Sequence, residues 1–269
     1  MDAAELPSEE EQFQAYRKVA SALKGAPVII RTLDVGGDKE IPYLHMEKEE
    51  NPFMGFRAVR YCLENADQYK VQLRALLRAG AFGDVKIMIP LVTCVEEVRA
   101  VKALVEECKA ELEAEGLKYD ENIEVGVMME TPAASLIADK LAEEADFFSI
   151  GTNDLIGYTM CADRGNDHIS NLYQVYYPAV LRSIKNIIES GVKAGIMVGM
   201  CGEAAADPLL EPLLISFGLE EFSMSAPSIL RARKTISQWS KAECDELAEK
   251  ALACTTAAEV KALLEAAAR

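Results

Sequence analysis

Basic residues are in short supply: 28 Lys and Arg stand against 44 Asp and Glu, a net charge of −16 over 269 residues. That balance excludes nonspecific binding to nucleic acid or an anionic membrane, so any anionic ligand must meet a local cluster of cations. Histidine occurs twice, as His45 in PYLHMEKEE and His168 in GNDHISN. Both contexts are polar and loop-like, so both side chains are expected in solvent, and neither supports nucleophilic catalysis. The seven cysteines are scattered and never spaced C-x-x-C, which excludes a disulfide framework and a thiolate zinc site. No apolar run reaches the roughly 18 to 20 residues of a membrane span. The opening MDAAELPSEEEQF has neither the basic nor the apolar region of a secretory leader, so a cytoplasmic protein is expected. No Gly/Ser linker, low-complexity tract or repeat divides the chain, and residues 1–269 are expected to form one domain.

What is present is an alternation of short β-rich apolar runs with longer helical patterns, the sign of parallel strands joined by crossover helices. Six runs read as strands: Val28–Leu33, Val85–Val92, Ile123–Glu130, Phe147–Gly151, Ile196–Cys201 and Glu221–Met224. They are nearly continuously apolar, as strands covered on both faces are. Cys94–Gly116 reads as a helix with Val95, Val98, Val101, Leu104 and Val105 on one face. Ser8-x-x-Glu11 and Thr256-x-x-Glu259 have the form of capping boxes, so both ends are expected to be helical. The acidic stretches Glu47–Glu50 and Glu106–Glu115 read as solvated surface.

Several runs end in groups that a buried strand does not normally carry. Arg31-Thr-Leu-Asp34 leads into Gly36-Gly37-Asp38-Lys39, GVMM ends in Glu130, FFSIG ends in Thr152-Asn153-Asp154, and VGM ends in Cys201-Gly-Glu203. In a β/α barrel the C-terminal strand ends form the active site, where these groups would converge. Glu130 and Asp154, with no soft ligand beside them, suit Mg²⁺ or Mn²⁺; alternatively one carboxylate simply pairs with an arginine. Arg31, Arg57, Arg164 and Lys39 can surround an anionic phosphate ester. For Arg57 a surface salt bridge is the competing reading, whereas Arg31, inside an apolar strand, would be costly to bury without a partner. Cys201 is either a structural thiol or a proton donor or acceptor, and spacing does not decide; the other six cysteines read as buried structural thiols.

RTLDVGGDKEIPYL, NPFMGFRAVR, GVMMETPAA, FFSIGTNDL, DRGND, GMCGE and EFSMSAPSILRARK, in this order, resemble the phosphoenolpyruvate-binding domain of phosphoenolpyruvate–protein phosphotransferases, enzyme I of the bacterial sugar phosphotransferase system. Pyruvate phosphate dikinases and phosphoenolpyruvate synthases share the GTND-like and CGE motifs, but ETPAA with DRGND is more similar to enzyme I. The resemblance implies a TIM-type (β/α) barrel that binds phosphoenolpyruvate, passes its phosphoryl group to a histidine on a separate domain, and releases pyruvate. It implies Mg²⁺ on Glu130 and Asp154, and substrate held by Arg31, Arg57, Asn153, Asp154 and Arg164. Cys201 would protonate C3 of the enolate. The implied partners are the enzyme I histidine domain, through it the histidine-containing carrier protein, and a second copy in a homodimer.

A closed barrel needs eight strands and six are legible here. In the family, two further strands precede the one carrying Arg31, and the second ends in an Arg-Thr-Glu motif that has no counterpart in this chain. The expected architecture is therefore an incomplete barrel, six strands of eight. A non-catalytic binding or dimerisation module is the competing functional reading. Ile156-Gly157 and Val175-Tyr176-Tyr177-Pro178 depart from the family's usual residues without removing any chemically assigned group.

Overall fold

The computed structural model describes residues 6–23, 25–35 and 47–269. The chain gathers into two compact units, Met1–Val127 and Met128–Arg269.

In the first unit, helix α1 (Glu9–Ala22) precedes β1 (Val28–Arg31), α2 (Ala58–Glu64), α3 (Ala66–Gly80), β2 (Val85–Ile89) and α4 (Val95–Ala114). β3 (Val125–Met129) begins here and ends in the second unit. β1 pairs with β2 and β2 with β3, all parallel, with Val28 opposite Val85 and Ile87 opposite Val125. The Ser8–Glu11 capping box forms as the sequence predicts, Ser8 N–H donating to the Glu11 carboxylate at 2.8 Å. α4 buries Val98, Val101 and Val105 as expected, continues the stripe through Cys108 and Leu112, and leaves Val95 and Leu104 only partly covered.

The acidic stretch on α4 is more than a solvated face. Glu107 and Glu111 pair with Lys70 of α3 at 2.7 and 2.9 Å, and Glu111 and Glu115 pair with Arg74 at 3.2 and 2.7 Å. Arg74 and Arg78 also reach Glu9 of α1, at 2.7 and 2.6 Å. Charges of opposite sign thus bind α1 and α4 to the intervening α3. Glu49, from the other acidic run, accepts from the Phe56 backbone N–H at 3.0 Å.

The second unit runs α5 (Pro132–Leu136), α6 (Ala138–Leu141), β4 (Phe147–Gly151), α7 (Thr152–Met160), α8 (Pro178–Ala194), β5 (Met197–Cys201), α9 (Glu211–Phe217), β6 (Glu221–Phe222), α10 (Ala226–Ile236), α11 (Lys241–Ala253) and α12 (Ala257–Ala267). β4, β5 and β6 are parallel, with Gly151 opposite Cys201 and Met200 opposite Phe222. Every residue of β3 and β4 is buried, which explains their nearly continuous apolar sequences, broken by Ser149 alone. The Thr256–Glu259 capping box forms, and Ser240 with Glu243 makes another at the start of α11.

The six strands stand where the apolar runs predict them, but most are shorter. β2 stops at Ile89 rather than Val92 because Pro90 has no N–H to give the ladder and Leu91 takes a left-handed φ of 57°. β6 is two residues long, although Ser223 N–H still donates to the Met200 carbonyl at 2.9 Å. Among the described residues no helix is long and apolar enough to cross a membrane. The expectation of buried thiols holds for Cys62, Cys108 and Cys244 and fails for Cys161, which is exposed. Cys161 caps the C-terminus of α7 in the left-handed conformation, φ 51°, where the chain turns outward.

Glu211, in the first turn of α9, is only 1% exposed and neither carboxylate oxygen has a hydrogen-bond partner. Thr235 and Arg231 of α10 face it, but the Thr235 hydroxyl donates to the Arg231 carbonyl at 3.2 Å. Burial, with Asp207 nearby, raises its pKa from 4.5 to about 7. A raised carboxylate favours folding fully below its unfolded pKa, and that contribution is lost as pH rises through the folded value. Between pH 5 and 8 the wild type is expected to lose about 2–3 kcal/mol more stability than Glu211→Gln. Urea titrations of both proteins at the two pH values measure this, and parallel losses would refute it.

Candidate active site

In the first unit the polar residues that follow β1 are organised around Asp34. Thr32 is buried, with its backbone N–H donating to Met88 at 3.0 Å and its hydroxyl accepting from Tyr69 at 3.2 Å. These bonds carry the chain straight on from the strand and set Asp34 beside Arg57. The Arg57 guanidinium donates to both Asp34 oxygens, Nη2 at 2.8 and 3.0 Å and Nε at 3.2 Å. Both side chains are almost wholly buried, at 6% and 5% exposure. Arg57 is therefore no surface salt bridge. Arg31 avoids the cost of burial without a partner: as the last residue of β1 it is 39% exposed, and its Nη1 lies 3.7 Å from the same Asp34 carboxylate. Ala58, directly after Arg57, is fully buried with a left-handed φ of 51°. That conformation costs a non-glycine residue about 1–2 kcal/mol and here fixes the direction in which Arg57 leaves the chain. Lys39 and His45, with Gly36 and Gly37, lie outside the described residues.

In the second unit three strand ends supply the remaining groups. Glu130 follows β3 and is 2% exposed. Its carboxylate lies over the end of β4: a Cβ built on Gly151 would be 2.6 Å from Glu130 Oε2, so only glycine leaves it room. α7 starts at once after Gly151, and its first turn carries Asn153 and Asp154, both partly buried. The Thr152 hydroxyl donates to the Cys201 carbonyl at 3.2 Å, joining the ends of β4 and β5. The Cys201 thiol, half-buried, lies 3.5 Å from the Ile150 carbonyl, to which it donates. Gly202 follows with φ 106° and ψ −175°, a combination essentially closed to other residues.

Arg164 is exposed, on the loop after α7, beside a turn in which the Asp163 side chain accepts from Gly165 N–H at 2.8 Å. It faces the phenol of Tyr173, which donates to the Asn153 carbonyl at 2.8 Å. Burial and the negative charges of Asp154 and Glu203 raise the Tyr173 pKa, and the Arg164 cation pulls it down. Asn153, Asp154, Arg164 and Glu203 are thus gathered around one tyrosine that the sequence pattern did not single out. A cleft of about 680 Å³ opens beside them, lined by Asn153, Gly202, Glu203, Asp207, Ser225 and Arg231 among others. His168 is exposed, as expected.

Among the described residues no group of three or more His, Cys, Asp and Glu side chains forms a metal site. Two hard carboxylates, Glu130 at the end of β3 and Asp154 in the first turn after β4, nevertheless fit a cation that completes its shell with water and substrate oxygens. That is the habit of Mg²⁺ rather than of a cation held by protein alone.

The model of the PEP-binding domain of PEP-utilising enzymes matches residues 1–241. The chain belongs to this family. Similar to this PEP-binding domain are the phosphoenolpyruvate–protein phosphotransferases of Priestia megaterium, 52% identical over 260 residues, and of Bacillus subtilis, 52% identical over 261. Each alignment takes in 97% of this chain but 45% and 46% of the relative, so the domain spans about half the length of the proteins it matches. Among solved structures, a citrate lyase from Burkholderia xenovorans aligns over 99% of this chain and 80% of its own with a TM-score of 0.53 at 16% identity. That likeness shows the fold alone. The PEP-binding domain is of the α/β barrel class, with six strands among the described residues where a complete barrel has eight.

Proposed function

We propose that the chain is the phosphoenolpyruvate-binding catalytic domain, a single partial barrel, of a phosphoenolpyruvate–protein phosphotransferase in sugar uptake. It binds phosphoenolpyruvate and passes the phosphoryl group to a histidine on a separate domain. The observation that carries this reading is the grouping of Asn153, Asp154, Arg164 and Cys201, with Glu130, at successive strand ends of one unit. Two carboxylates for a cation, arginine and amide for an anion, and a thiol within the same cluster are what transfer from an enol phosphate requires.

In the transfer, the bond between the enol oxygen and phosphorus breaks as a bond to the imidazole nitrogen forms. The enolate left behind takes a proton at C3 and departs as pyruvate. Asn153, Asp154 and Arg164 hold the phosphate and carboxylate, and a guanidinium fork suits both groups. Cys201 Sγ–H gives the proton to C3, a task that fits a half-buried thiol at the end of β5. Mg²⁺, or Mn²⁺, on Glu130 and Asp154 would supply positive charge to the phosphoryl and enolate oxygens. The histidine domain, the carrier protein that it phosphorylates and a second copy in a homodimer complete the proposed cytoplasmic assembly.

Titration calorimetry of the chain with phosphoenolpyruvate and Mg²⁺ is expected to give binding that Asp154→Ala weakens by about one to two orders of magnitude, with loss of its metal dependence. Cys201→Ala should still bind yet release pyruvate at least about a hundredfold more slowly once an enzyme I histidine domain is added. No heat with either ligand would reject the reading. Equal pyruvate release with and without the chain would favour a non-catalytic module.

A further inference from the structure

Arg164 stands on an exposed loop, and an arginine so placed has many rotamers to lose before it can grip an anion. The neighbouring residues reduce that freedom. After α7 ends at Cys161 the chain makes the Asp163–Gly165 turn and then a short 3₁₀ turn, Asp167–Leu172, capped by the Asn166 side chain accepting from His168 N–H at 3.0 Å. Tyr173 closes this excursion, its backbone N–H donating to the Ser170 carbonyl at 3.1 Å. Its ring returns over α7, where a Cβ on Gly157 would lie 3.6 Å from the ring edge.

The phenol then meets two partners with one oxygen. Its proton goes to the Asn153 carbonyl at 2.8 Å, which turns its lone pairs toward the guanidinium of Arg164. Burial, Asp154 and Glu203 all oppose loss of that proton, so the phenol remains a donor at neutral pH.

We propose that Tyr173 is a positioning residue for phosphoenolpyruvate binding: its hydroxyl ties the first turn of α7, with Asn153 and Asp154, to the loop that presents Arg164. It acts through Arg164 and touches no reacting atom. The inference rests on the proposed function and extends it to a residue outside the ligand set.

The test is a double-mutant cycle read by calorimetry with phosphoenolpyruvate and Mg²⁺. Tyr173→Phe keeps the ring over Gly157 and removes the hydroxyl, so affinity should fall about tenfold. Arg164→Ala should lose more, and the double variant should bind no more weakly than Arg164→Ala alone, because the hydroxyl then has no guanidinium to position. A merely structural tyrosine would lower affinity by the same factor in both backgrounds, and that result would overturn the proposal. Unchanged affinity in Tyr173→Phe would overturn it too, while leaving the proposed function intact. A wild-type chain that takes up no phosphoenolpyruvate would instead bring down the functional reading, and this inference with it.

Discussion

Asp34→Ala is expected to destabilise the protein by about 3–5 kcal/mol, the usual cost of leaving one member of a buried ion pair without its partner. The carboxylate takes three contacts of 3.2 Å or less from the Arg57 guanidinium, with both side chains about 95% shielded from water. Asp34→Asn should cost nearly as much, since the amide restores shape but not charge. Replacing the pair with apolar residues of similar volume, Asp34→Leu with Arg57→Met, should recover much of the loss, because no isolated charge then remains buried. Urea denaturation measures all three. A loss below about 1 kcal/mol in Asp34→Ala would mean that water reaches Arg57 and that the pair is worth no more than a surface bridge.

Gly202→Ala is expected to lower pyruvate release by at least about a hundredfold while costing about 1–3 kcal/mol in stability. With φ 106° and ψ −175° the residue occupies backbone space that an L side chain reaches only under strain, and an added methyl would collide with the Thr152 hydroxyl. That hydroxyl holds the Cys201 carbonyl, so relief of the clash moves the proposed proton donor and the start of α7 together. Assays with an added histidine domain, beside thermal melts, separate the two effects. A variant that retains full turnover with an unchanged melting temperature would show that the strand ends can move apart without consequence.

Much of this architecture is readable from residue order. Continuous apolar runs announce the covered strands, and Ser8, Glu11, Thr256 and Glu259 mark the starts of two helices where capping boxes form. The polar ends of those runs pick out Glu130, Asn153, Asp154 and Cys201 because a buried strand has no other use for them. What escapes is pairing across space. Nothing local says that Arg57 turns inward to Asp34, 23 residues away, or that Arg31 ends its strand in solvent. Tyr173 looks like any half-buried aromatic until the loop folds it back on Asn153. Gly151 reads as a strand terminator, yet its lack of a side chain is what admits the Glu130 carboxylate. Cys161 is misread because its exposure follows from a left-handed cap, which composition does not signal.

The capping boxes also bear on how the protein comes apart in acid. Their glutamates accept from backbone N–H groups and hydroxyls at the helix starts, and for Glu243 from Arg269 above all, which holds the carboxyls of Glu11, Glu243 and Glu259 below the ordinary range, Glu243 down to about 2. Carboxyls depressed in this way support folding above their unfolded pKa and lose that support only as pH falls through the lower folded value. The first turns of α1, α11 and α12 should therefore keep their amide protons from exchange to lower pH than segments anchored by ordinary carboxylates.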